Sequence, residues 1–163
     1  ISNFAAVGQL ELLHQHFTTL YLSEQVFEEI QNGLLQGYTF YSNLETQIFP
    51  FSSTGWLCLT ALGTPGELQM YGQLLTNLHG GEASCLAIAF HRQWTLLSDD
   101  FAARKIGKKL NIPVTGTLGI LLSLVRGNLL PYSKADAVLQ QMIQTGYYSP
   151  ITSLREVLKD TNQ

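Results

Sequence analysis

The chain has 163 residues, 45% of them hydrophobic and only 13% charged, and carries a net charge of -3. That length suits one domain with a sizeable core, and the composition excludes a disordered chain. The net charge excludes a molecule that traps nucleic acid over its whole surface, while leaving room for a small local site.

Cys58 and Cys85 lie far apart in apolar surroundings and form no CxxC pair, so buried free thiols in a reducing, cytoplasmic setting are the expectation. His14, His16, His79 and His91 fall into no metal-binding spacing. No apolar run is long enough to span a membrane, and none is expected as a partner.

In chain order, Phe4, Val7, Leu10, Leu13 and Phe17 recur at helical spacing, with Gly8 splitting the segment into two short helices. Thr18 to Leu22 reads as a short β-prone run. Ser23 then caps a helix whose buried stripe is Val26, Phe27, Ile30 and Leu34, ended by Gly33 or Gly37. The segment from Tyr38 to Ser53 is the least regular, with a short helix expected around Leu44. Trp56 to Leu62 reads as a strand. Thr64 caps, and Pro65 opens, a helix predicted to run to Leu78. After a break at Gly80 and Gly81, Glu82 to Arg92 is a helix that is apolar nearly all round.

Thr95 to Ser98 is a short buried strand. Asp99 and Asp100 follow it and lead into a helix with Lys105, Lys108 and Lys109 towards its end, a charge order that suits the helix dipole. Another short strand is expected at Pro113 to Thr115, then a helix ended by Gly127. Two more helices are predicted, from Ser133 to Thr145 and from Thr152 to Lys159. Short strands alternating with helices indicate βα crossovers and a central parallel sheet covered on both faces. Ligands in such α/β folds bind at the carboxyl ends of the strands, which is where Asp99 and Asp100 stand.

Each acid also has a plain structural reading. Asp99 or Ser98 could cap a helix and Asp100 could serve its dipole. Glu82 could be a dipole partner, and Glu29 a solvated surface acid beside Glu28. Together they suggest more. Carboxylates gathered at strand ends repel one another, and Mg²⁺ or Mn²⁺, which favours oxygen ligands, relieves that repulsion. Such an ion can supply a hydrolytic water and stabilise charge on phosphate oxygens.

The runs GGEASCLAIA, WTLLSDDFAARKIGKKL and IPVTGTLGILL resemble, in order and spacing, a bacterial branch of the PIN domain family. SNFAAVGQLELL looks like the tail of that family's first motif. YLSEQVFEEIQNG resembles the next segment, with Glu29-Ile30-Gln31-Asn32-Gly33 in place of its Glu-Leu/Ile-x-x-Gly. The resemblance runs from Ile1 to about Gly127 and is most specific from Gly81 to Gly119.

It implies one PIN-like domain over residues 1–163, a three-layer α/β/α sandwich, and a metal-dependent endoribonuclease that cleaves single-stranded RNA. VapC-like toxins of toxin–antitoxin pairs are of this kind, so an antitoxin protein is an implied partner. Carried over by position, Glu29, Glu82 and Asp100 fill three acid positions that hold Mg²⁺ or Mn²⁺, with Asp99 as companion. Ser98 matches the small hydroxyl residue before the last acid, Thr115, Gly116 and Thr117 match a turn bordering the pocket, and Arg104 matches a recurrent arginine, structural or substrate-binding. The family's first acid, an Asp ending the first strand, falls before Ile1. The expectation is that this strand lies upstream of the sequence given.

Two other readings compete. A response-regulator receiver needs a phosphate-accepting Asp at a later strand end, whereas the next Asp after Asp100 is Asp136, inside a predicted helix. A PIN-like module that binds RNA or protein without cutting fits the negative charge. Leu139, Met142 and Ile143, at helical spacing, offer either a homodimer surface or ordinary internal packing.

Overall fold

The computed structural model describes residues 1–158. Its elements are α1 (Ser2–Ala6), α2 (Leu10–His16), β1 (Leu20–Ser23), α3 (Glu24–Leu35), two 3-10 turns (Thr39–Tyr41 and Leu44–Gln47), β2 (Ile48–Phe49), β3 (Leu57–Thr60), α4 (Pro65–Leu74), α5 (Gly80–Arg92), β4 (Leu96–Leu97), α6 (Phe101–Lys109), β5 (Val114–Thr115), α7 (Thr117–Arg126), α8 (Tyr132–Gln144) and α9 (Arg155–Leu158). Lys159, the expected end of the last helix, lies outside the described residues.

The chain packs as two compact units, one formed by Ile1–Thr18 with the segment from Thr117 onward, the other by Thr19–Gly116. In the first, α1 packs on α2 and α8, and α7 on α8. Its buried residues include Phe4, Leu13, Leu121, Leu124, Leu139 and Met142. Leu139 and Met142 of α8 therefore pack internally, while Ile143 is half-buried. Asp136 lies in that helix and accepts the N–H of Leu154 at 2.7 Å, so it is no phosphate acceptor at a strand end.

The second unit is α/β. Every strand pair in it is parallel, as the alternation of short strands and helices predicts. β3 is central to a three-stranded sheet of order β1-β3-β2, with Leu20 opposite Leu57 and Ile48 also opposite Leu57. β4 and β5 form a second pair, with Leu96 opposite Val114. One core cluster of this unit joins Leu86 and Ala89 of α5, Leu96 of β4, Ala103 of α6 and Ile112.

Helix starts follow the capping residues. Ser23 Oγ accepts the Val26 N–H, and Thr64 and Glu67 form a reciprocal capping box. Elsewhere the elements differ from expectation. Gly33 does not end α3; it is buried inside that helix, where the rings of Tyr38 and Tyr41 fill the space a side chain would take. The stop falls at Gly37, whose φ is +95°. α4 ends at Leu74 rather than Leu78. Gly80 and Gly81 are not a break but the first two residues of α5. β2 is a strand that Tyr38 to Ser53 did not announce, because two residues carry no period.

Candidate active site

The carboxyl end of β1 delivers the chain directly into α3, and Gln25 and Glu29, four residues apart, share the face of α3 that meets α5. Glu29 Oε1 accepts the backbone N–H of Gly81 at 2.9 Å. This satisfies one of the orphan donors in the first turn of α5 and places a negative charge at the positive end of its dipole. The approach needs glycine: a Cβ on Gly81 would lie 2.9 Å from Glu29 Oε1, and closer still to Oε2. Gly80 is looser: an added Cβ there would be 3.4 Å from the Tyr71 hydroxyl and 3.9 Å from Gln25 Cβ, ordinary contacts.

Glu82 follows in the first turn of α5. Its Oε2 is buried and has no hydrogen-bond partner among the described residues, and the same is true of Gln25 Oε1. A buried acceptor without a donor is costly. Beneath this corner, Ser23 Oγ lies 2.8 Å from Ser84 Oγ and 3.6 Å from Cys85 Sγ. Burial pushes the Cys85 thiol above its ordinary range, and the charges of Glu29 and Glu82 push it further. The Glu29 carboxylate is bound to the N–H of Gly81, the residue next in sequence to Glu82 at the start of α5.

The second pair of acids stands where β4 ends. Asp100 is the N-cap of α6: its Oδ1 accepts the Ala103 N–H at 2.7 Å. Ser98 Oγ accepts the Asp100 N–H at 3.1 Å, and the Ser98 carbonyl accepts Arg104 Nη1 at 2.8 Å. The Asp99 carboxylate and the Arg104 guanidinium crowd Gly116, where an added Cβ would come within 2.8 Å of Arg104 Nη1 and nearer to Asp99. Asp99 and Asp100 are both exposed. Thr115 belongs to this corner through its carbonyl, which accepts the Ser98 N–H at 2.9 Å. Thr117 opens α7 in the other unit, where it is buried and its hydroxyl accepts the Asn3 amide at 3.0 Å.

The eight residues singled out from sequence therefore divide. Glu29 and Glu82 meet at the start of α5. Ser98, Asp99, Asp100, Arg104 and Thr115 meet at the ends of β4 and β5, and Thr117 lies in the other unit. Among the described residues no three Asp, Glu, His or Cys side chains are close enough to hold a metal ion together. The Glu29–Glu82 corner still fits a hard cation in its chemistry. Mg²⁺ needs only one or two protein carboxylates and keeps several waters, and Glu82 Oε2 is a buried acceptor that no donor among the described residues satisfies.

Sequence reasoning missed two features of this unit. Gln25 was overlooked because nothing in its local pattern marks it; only its i to i+4 relation to Glu29 was there to be found. Glu67 is fully buried and ion-paired, its Oε1 accepting Arg92 Nε at 2.7 Å. Arg92 also donates to Thr60 Oγ1 and the Ala61 carbonyl, both at 2.7 Å, and its guanidinium lies 5.1 Å from the Trp94 ring, which stacks on Tyr21. With Arg92 Nε, Nη1 and Nη2 all engaged, this pair ties the end of α5 to the start of α4 and to the end of β3.

No curated protein and no solved structure matches the chain. No helix among the described residues is long and apolar enough to cross a membrane. A family model described as PIN domain matches residues 1–163, the whole sequence. PIN domains are in general metal-dependent nucleases. With its parallel α/β unit, and with acids at the starts of α5 and of α6, the chain belongs to the PIN domain family.

Proposed function

We propose that this chain is an Mg²⁺- or Mn²⁺-dependent endoribonuclease that cleaves single-stranded RNA, acting as the toxin of a toxin–antitoxin pair. The observation that carries the reading is the buried Glu82 Oε2, left without a donor beside the Glu29 carboxylate that is drawn onto the start of α5. A protein that kept this acid only for its helix dipole would leave it in solvent, where dipole interactions cost no desolvation.

Glu29 and Glu82 would hold the cation. When bound, the ion supplies a water of lowered pKa and positive charge for the phosphate oxygens. The chain's own residues do the positioning. Gly81 lets Glu29 approach the helix start, and the Gly81 N–H orients that carboxylate through Oε1. Asp99, exposed at the end of β4, would orient a water or a second cation. Asp100 keeps one oxygen on the α6 cap and has the other to offer. Arg104, tied to the Ser98 carbonyl, keeps the β4–α6 turn in place.

The test is cleavage of a single-stranded RNA with Mn²⁺, comparing the unaltered chain with Glu29→Gln, Glu82→Gln, Asp99→Asn and Asp100→Asn. Loss of cleavage in Glu29→Gln and Glu82→Gln supports the reading. Equal cleavage by the unaltered chain and both variants, or none by any form, overturns it. In the latter case the alternative, a PIN domain that binds RNA or protein without cutting, takes its place. Exposure of Asp99 and Asp100, with no third ligand gathered around Glu29 and Glu82 among the described residues, is the observation that favours that alternative.

A further inference from the structure

We infer that the outer face of α6 is a track for single-stranded nucleic acid, with Phe101 as a stacking platform for an unpaired base and Lys105, Lys108 and Lys109 as phosphate contacts. The inference rests on the nuclease reading for its biological purpose and adds to it the surface that leads substrate to the acids.

Charge is distributed very unevenly along this chain. No Lys or Arg precedes Arg92, and four of the nine in the whole chain fall within the nine residues of α6. One of the four, Arg104, is folded back onto the Ser98 carbonyl. The other three, Lys105, Lys108 and Lys109, are exposed. At about 100° per residue, they and Phe101 fall within an arc of roughly 100° on the helix. The opposite side carries Ala103, Ile106, Gly107 and Leu110, of which Ala103 and Gly107 are buried. Gly107 packs against Val114 and Leu86, so the inner face is fixed and the outer face is presented to solvent.

Phe101 is the unusual member. It is 79% exposed at the first position of the helix, next to Asp100. A helix start beside two acids gains nothing from a solvated phenyl ring, whose exposure forgoes the burial that usually accounts for Phe. The helix dipole accounts for Lys108 and Lys109 in the last turn. It accounts neither for Lys105 in mid-helix nor for the ring at the other end. An aromatic platform followed by cations at successive turns is the combination by which proteins hold single strands without reading sequence. The lysines run away from the acids for about 12 Å along the axis, so a strand lying on them with a base on Phe101 would bring its backbone to Asp99 and Asp100.

The experiment measures binding of a fluorescent single-stranded oligoribonucleotide by anisotropy over a range of salt, in a Glu82→Gln background so that the strand stays intact. Replacing Lys105, Lys108 and Lys109 together by Gln is expected to weaken binding and flatten the log Kd against log salt slope by about 2. Phe101→Ala is expected to weaken single-strand binding about tenfold and leave the slope unchanged, with a duplex of the same length indifferent to it. Lys134→Gln on α8, which removes an exposed charge from the other unit, is the control and is expected to change neither. All these side chains are exposed, and an unchanged melting temperature verifies folding. The track is overturned if the oligonucleotide fails to bind, if the triple variant keeps the parent's affinity and slope, or if Lys134→Gln matches it. Oligonucleotide binding that depends on α6 in a chain that never cleaves would overturn the nuclease reading and uphold the track; cleavage indifferent to α6 would do the reverse.

Discussion

Glu29 and Gly81 are 52 residues apart in the chain, and the carboxylate of one accepts the backbone N–H of the other at 2.9 Å. This bond brings α3 and α5 together at the corner where Glu82 also stands. Gly81→Ala tests it directly. In an ordinary helix the change stabilises by up to ~1 kcal/mol, but here the new methyl group would displace the Glu29 carboxylate. Melting temperature is expected to change little while cleavage falls about tenfold or more, as for loss of a residue that orients a ligand.

Glu82 should show the opposite signs of stability and activity. Without cation, its buried oxygen lacks a partner, so Glu82→Gln is expected to raise stability by about 1 kcal/mol as the charge is removed. Added Mn²⁺ should raise the melting temperature of the unaltered chain through binding to the folded state, and should no longer do so in Glu82→Gln. A thermal melt with and without Mn²⁺ reads both effects. An Mn²⁺ shift of equal size in the variant would remove Glu82 from the metal site.

Asp100 has a structural duty that must be separated from chemistry. Asp100→Ala removes the α6 cap and is expected to cost ~1 kcal/mol, whereas Asp100→Ser keeps a capping oxygen and costs only a few tenths. Both remove the carboxylate. If Asp100 serves the reaction, both variants lose cleavage; if it serves only as cap, cleavage follows the melting temperature and survives in Asp100→Ser.

The Glu67–Arg92 pair sets an acid limit on stability. The Arg92 guanidinium, aided by the N–H groups of Gly63 and Thr64, holds the Glu67 carboxyl down at about 2 against an ordinary 4.5. A depressed folded-state pKa contributes stability above the unfolded value that is lost as pH falls through the folded one. The contribution, of order 3 kcal/mol at most, is therefore complete above about pH 5 and disappears between 4.5 and 2. Urea unfolding followed down this range should show a fall that is absent in Glu67→Gln. That variant should itself be less stable at neutral pH by about 3 kcal/mol, because Arg92 is left without its partner.

Much of the architecture was legible in the residues because it is encoded locally. Ser23 and Thr64 cap the helices they precede, and caps are relations between residues two or three apart; at α6 the cap is Asp100 rather than the expected Ser98 or Asp99, because three adjacent capping residue types leave the choice to the backbone path. The short apolar runs before Ser23, around Leu59 and at Leu96 gave parallel strands for the same reason. β2 was not legible, since Ile48 and Phe49 make a strand only through pairing with β3.

The sequence by itself determined most of the helices and strands, β2 excepted, and which acids stand near helix starts. Only the tertiary structure decided how those acids group: Glu29 with Glu82 against the start of α5, Asp99 with Arg104 over Gly116, and Glu67 drawn inside with Arg92. The physical reason is range. A cap or an apolar stripe is set by neighbours within a turn, whereas the approach of α3 to α5 follows from strand register and from a glycine that lets a carboxylate in, and neither is a property of any one segment.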